Sequence, residues 1–119
     1  VIDVGTGELN ESFERIANRT FLVLRPCYLA LRKASNKMSH GYLRNDGIIV
    51  LEESGRALTP TDISTVLKTP IVSTIKVDPS VSRAVDAGLL SSRIPAALNE
   101  GLRALVEVLS IPVPKKPFL

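Results

Sequence analysis

Four apolar runs of strand length, spaced by segments with helical periodicity, constrain this chain more than any other feature. They are residues 1–4 (Val-Ile-Asp-Val), 20–24 (Thr-Phe-Leu-Val-Leu), 47–51 (Gly-Ile-Ile-Val-Leu) and 70–77 (Pro-Ile-Val-Ser-Thr-Ile-Lys-Val). They are mostly apolar throughout, without the polar alternation of a half-buried strand. Strands of this kind are covered on both faces, as in a parallel sheet with crossover helices. The expectation is an α/β fold: an open, mainly parallel sheet of about four strands with crossover helices. With 119 residues the chain fits one domain. That domain is expected over residues 1–110, with a Pro/Lys-rich tail over 111–119 that cannot continue a helix.

The intervening segments read as helices. Leu9, Phe13, Ile16 and Ala17 share one helical face, and Tyr28, Leu31 and Met38, with Cys27 and Ala34, make a second stripe. Residues 59–62 (Thr-Pro-Thr-Asp) form a helix start, with Thr59 as cap, Pro60 in the first turn and Asp62 near the positive helix end. That helix carries Ile63, Val66 and Leu67. Asp78-Pro79 opens another with Val81, Ala84, Val85 and Leu89, and a last one aligns Ile94, Leu98, Leu102, Leu105 and Leu109. Residues 40–45 read as a loop.

Composition removes several function classes. A single cysteine, Cys27, excludes an internal disulfide framework and a cysteine-rich zinc site, and a single histidine, His40, excludes a multi-histidine metal centre. With no Trp, two Tyr and three Phe, the chain lacks the aromatics of a single-strand stacking platform. No apolar run reaches the ~20 residues that cross a bilayer. Asp3 and Glu8 stand where a signal peptide would be basic, so a cytoplasmic, reducing location is the expectation. The chain begins at Val1, inside an apolar run, which leaves open that it is a piece of something longer.

In an open parallel sheet, ligands sit beyond the carboxyl ends of the strands. The first run ends in Asp3-Val4-Gly5-Thr6-Gly7. A carboxylate there can hold hydrated Mg²⁺, and glycines let backbone N–H groups approach a phosphate; a plain turn using glycine for its permissive φ explains the same residues. The fourth run ends in Lys76-Val77-Asp78-Pro79, where Asp78 serves as a helix cap whatever else it does. Arg25, after the second run, could meet an anion or simply face solvent. Cys27 at a helix start could have a lowered pKa or be a small half-buried residue. No Gly-x-x-x-x-Gly-Lys-Ser/Thr loop and no Gly-x-Ser-x-Gly elbow occurs. Residues 20–45 hold Arg25, Arg32, Lys33, Lys37 and Arg44 and no acid, within a net charge of +3. Such a patch could meet DNA phosphates or an acidic lipid surface, or be the solvated face of one helix.

The order of these segments is similar to the carboxyl-terminal half of ParA/MinD-type P-loop ATPases. The resemblance runs through Val1-Ile2-Asp3-Val4-Gly5, the strand closed by Arg25-Pro26, Gly47-Ile-Ile-Val-Leu51, and residues 70–78 followed by Ala84-Val85-Asp86-Ala87-Gly88. It implies a partial P-loop ATPase fold and a nucleotide sandwich dimer that switches between partners on ATP hydrolysis, with ATP and Mg²⁺ as cofactors of the complete protein. By position, Asp3 looks like the Walker B acid that orients Mg²⁺ through water. Gly5 and Gly7 would lie near the γ-phosphate, and Val77, Asp78 and Pro79 match the loop bordering the adenine. Two departures stand out. Relatives place Asn-Arg or a similar pair after the third of these strands, where this chain reads Glu52-Glu53-Ser54, and the Walker A lysine is missing. Phosphoryl transfer depends on that lysine and Mg²⁺ offsetting the developing charge, so these residues alone are expected to hydrolyse no ATP.

Three readings follow: part of a ParA/MinD-like ATPase, pairing as a homodimer or with a partner ATPase subunit; a stand-alone, non-catalytic α/β interaction module; or a basic DNA-binding accessory protein using Arg32, Lys33 and Lys37.

Overall fold

The computed structural model describes residues 1–6, 10–41 and 45–112. The chain runs α1 (Glu11–Ile16), β1 (Phe21–Leu24), α2 (Tyr28–Ser39), β2 (Gly47–Glu52), α3 (Pro60–Leu67), β3 (Ile71–Lys76), α4 (Pro79–Asp86) and α5 (Ala96–Leu109). The three strands form one open parallel sheet in the order β1-β2-β3. Sequence and structure agree on α/β class and parallel direction, and differ by one strand. Residues 1–4 pair with nothing in the sheet and are exposed throughout. An apolar run becomes a strand only beside a backbone that takes its N–H and C=O groups. None of the described residues offers one here.

The helices that follow the strands each open on a side-chain cap. Thr59 and Asp62 form a reciprocal capping box: the Asp62 N–H donates to Thr59 Oγ1 at 3.2 Å and the Thr59 N–H to Asp62 Oδ2 at 2.8 Å. Pro60 sits in the first turn. Cys27 caps α2 through its sulfur, and Asp78 caps α4 by accepting from the Ser80 N–H at 2.8 Å. Where β1 and β2 start, Thr20 and Asp46 bracket one another. The Thr20 N–H donates to Asp46 Oδ2 at 2.7 Å and the Asp46 N–H to Thr20 O at 2.6 Å.

The core lies on one face of the sheet. Leu24, Ile48 and Val50 meet Leu31 and Ala34 of α2 and Ile63 and Leu67 of α3, with Leu22, Met38 and Ile71 at the margin. Ile48, Val50 and Ile63 lose all or nearly all contact with water, worth roughly 1.5–3 kcal/mol for each such side chain. The expected α2 stripe holds at Leu31, Ala34 and Met38, with Cys27 half-buried, and fails at Tyr28, which is exposed. Val66 of α3 also faces out.

On the opposite face α5 packs on β3. Gly101 makes the contact possible, because a Cβ there would lie 3.0 Å from the Thr74 carbonyl oxygen and 3.3 Å from Ile75 Cα. The buried Ser73 hydroxyl donates to Gly101 O at 2.7 Å. The short α1 has no buried residue, and Phe13 and Ile16 of its expected face are exposed; Leu9, also assigned to that face, lies outside the described residues. α4 likewise buries none of its residues fully.

Candidate functional site

Parallel strands send their carboxyl ends to one rim. Here the rim carries Arg25-Pro26 after β1, Glu53 after β2, and Val77-Asp78 after β3. Its most organised feature is an ionic cluster. Arg25 Nη2 donates to Glu53 Oε1, and Arg56 Nε donates to Glu53 Oε2 at 2.7 Å. One carboxylate thus takes two guanidiniums, one on each oxygen. The Glu53 side chain is the most enclosed of the three, 16% exposed against 60% for Arg25 and 41% for Arg56. The hydrogen bond from Arg56, then that from Arg25, holds the Glu53 carboxyl below the usual glutamate range.

Arg25 therefore does not simply face solvent. Its partner Glu53 stands in the sequence only as part of Glu52-Glu53-Ser54, and nothing in the residue pattern marks Arg56. The signal that could have found the pair is topological. Residues just after two neighbouring parallel strands must emerge side by side, so an arginine after one and a glutamate after the next are poised to meet.

At the tip of β3 the Val77 N–H extends the ladder to Glu52 O at 2.9 Å, and the Val77 side chain is exposed. Asp78 is half-buried and Pro79 is exposed in the first turn of α4. The Asp78 carboxyl sits below the usual aspartate range, through the Ser80 hydroxyl first and the Ser80 N–H second. Its carboxylate is thus engaged in capping.

Asp3 is elsewhere. It is exposed, and its Oδ1 accepts from the Gly5 N–H at 2.9 Å in a turn that Gly5 closes at φ +70°. No described hydrogen bond or ion pair joins Asp3 to Asp78 or to the rim cluster. Gly7 lies outside the described residues. Among the described residues, no group of three or more His, Cys, Asp or Glu is placed to hold a metal ion. A lone carboxylate bonded to its own turn does not make a Mg²⁺ site, so no step through Mg²⁺ is derived for these residues. A hollow of about 300 Å³ lies between α4 and the start of α5 and includes Ser80, the residue bonded to Asp78, and one of about 310 Å³ lies between the ends of α2 and α3.

The basic stretch sits on α2. Arg32 and Lys33 are exposed, Lys37 is half-buried in the last turn, and the helix holds no acidic residue; Arg44 is outside the described residues. No helix is long and apolar enough to cross a membrane among the described residues.

Fold and rim together define an α/β protein with an open parallel sheet and an arginine–glutamate cluster at its carboxyl edge. Comparison with protein-family models, with curated proteins and with solved structures finds no match.

Proposed function

We propose that the chain is part of a nucleotide-switch ATPase of the ParA/MinD type, of the kind that partitions or positions DNA, septum or pilus machinery. The observation that carries this reading is the outer edge of β1. Among the described residues that strand pairs with β2 alone. An unpaired strand edge presents a row of N–H and C=O groups that can pair with another chain. Residues 1–4, apolar yet unpaired, fit a sheet whose centre is missing. The neighbour would be supplied by further chain, by a second copy or by a partner ATPase subunit. ATP would sit at the strand tips, with Val77, Asp78 and Pro79 toward the base, and Asp3 brought into the site only once the sheet is complete. The Walker A lysine is absent from these residues, so hydrolysis is not assigned to them.

ATP binding at about 1 mM by the self-associated or partner-bound chain, lost on Asp3→Ala, supports the reading. Absence of binding by any nucleotide sinks it and leaves a non-catalytic interaction module. A second reading has its own observation, the acid-free α2 face bearing Arg32 and Lys33. If that face holds DNA, binding falls steeply with salt, with a logarithmic slope of about 0.9 per neutralised phosphate, and falls again on Arg32→Ala with Lys33→Ala and Lys37→Ala. Salt-insensitive binding removes it.

A further inference from the structure

We propose that Arg25 and Arg56, each seated on one oxygen of Glu53, form a receptor for a phosphate group at the carboxyl tips of β1 and β2. The proposal rests on the nucleotide reading only for the source of the phosphate, not for the receptor itself.

The placement follows from topology. β1 and β2 are parallel neighbours in register from Phe21↔Gly47 to Leu24↔Val50, so Arg25 and Glu53 leave the sheet on the same rim. A tight turn then brings Arg56 back onto Glu53 three residues later. The carboxylate is the enclosed member and the guanidiniums lie outside it. Glu53 therefore acts as a seat for the two arginines.

Donor accounting shows what the seat leaves free. Arg25 gives Nη2 to Glu53, and Arg56 gives Nε and Nη2. No other acceptor among the described residues takes their remaining N–H groups, so most of each fork is open to water. The charge is unbalanced as well, with two guanidiniums on one carboxylate. The charges at the ends of β2 and β3, Glu52 and Lys76, are register partners of opposite sign. A fixed pair of planar forks with excess positive charge suits a tetrahedral dianion, which can accept two N–H groups from each. Seating the arginines in advance removes much of the side-chain entropy that binding would otherwise cost.

The test titrates the chain with sodium pyrophosphate, with ATP and with adenosine, followed calorimetrically or by amide chemical shifts. Pyrophosphate is expected to bind, and adenosine not to displace it. Arg25→Ala and Arg56→Ala should each weaken pyrophosphate binding by about tenfold, the order expected for one charge-assisted hydrogen bond. Arg25→Lys keeps the charge and loses the fork, so it should also weaken binding; unchanged affinity overturns the proposal. It serves too if the alanine variant fails to fold. Glu53→Gln raises the net charge but removes the seat. Weaker binding is expected, and tighter binding would mean a diffuse positive surface and no receptor. Lys68→Gln, at the end of α3 where β3 is about to start, should change nothing, and a comparable loss there also overturns it.

No pyrophosphate binding at about 10 mM, beyond the range of weak specific complexes, overturns the receptor. The two readings separate cleanly. Arginine-dependent pyrophosphate binding with no gain for ATP keeps the receptor and removes the nucleotide. ATP binding indifferent to both arginine changes keeps the nucleotide and removes the receptor.

Discussion

The two faces of the sheet are built from the same kind of strand and end in different states. On one, α2 and α3 close over Ile48 and Val50, both 0% exposed. On the other, α5 covers β3 while Val23 of β1 stays open to water. Residue type does not make this difference, since the strands are apolar on both sides. The number of helices returning to each face does. Both crossovers return to the first face, and one terminal helix is left to cover the second.

That contrast can be broken most sharply by truncation. Ile48→Ala should cost roughly 2–5 kcal/mol in urea unfolding, the usual range for emptying a packed site. Val23→Ala, of similar chemistry, should fall within about 0.5 kcal/mol of no change, as surface substitutions do. Similar costs for the two would mean that the second face is as closed as the first in solution, most simply because another chain covers it.

A smaller effect separates the covered and uncovered parts of the second face. Gly101→Ala replaces the poorest helix former but one with the best, a gain of about 1 kcal/mol in a free helix. At this site the new Cβ would meet backbone atoms of Thr74 and Ile75 that cannot swing away. The expectation is a net loss of about 1–2 kcal/mol, as in overpacked cores. A stabilised variant would show that α5 is not seated on β3 through this glycine.

How much of this was legible in the sequence follows from which interactions are local. Caps are local, so Thr59, Pro60 and Asp62, and Asp78 with Pro79, could be read within a few residues of chain. The strands Phe21–Leu24, Gly47–Glu52 and Ile71–Lys76 lie within a residue or so of the apolar runs. Residues 1–4 look the same in sequence but lack a partner, and partnering is not written in a run's own composition. The stripe on α2 was misjudged at Tyr28 for a similar reason. It is the first residue of the helix and lies exposed. At the site, Asp78 was found as a cap, whereas the meeting of Arg25, Glu53 and Arg56 depends on strand adjacency and stayed hidden.

The smallest effect compares the rim with the closed face through their carboxylates. Glu53 and Asp78 belong to the rim, and Asp62 to α3 on the closed face. All three sit below their ordinary values of 4.5 for glutamate and 3.8 for aspartate. For Asp62 the cause is the Thr59 N–H first and its hydroxyl second. A carboxyl with a depressed folded pKa binds fewer protons than its unfolded counterpart. Its contribution is therefore complete above the unfolded value and is lost as pH falls through the folded one. The urea midpoint should hold steady down to about pH 5 and then decline toward about pH 3. Added salt sharpens the comparison, because it screens the exposed Arg25–Glu53–Arg56 cluster far more than the hydrogen bonds within the Thr59–Asp62 box. In high salt the decline should shrink by the cluster's share and keep that of the box. A midpoint flat across that interval would mean that these carboxylates are as freely solvated in the folded chain as in the unfolded one, and Glu53 could then be no seat for two arginines.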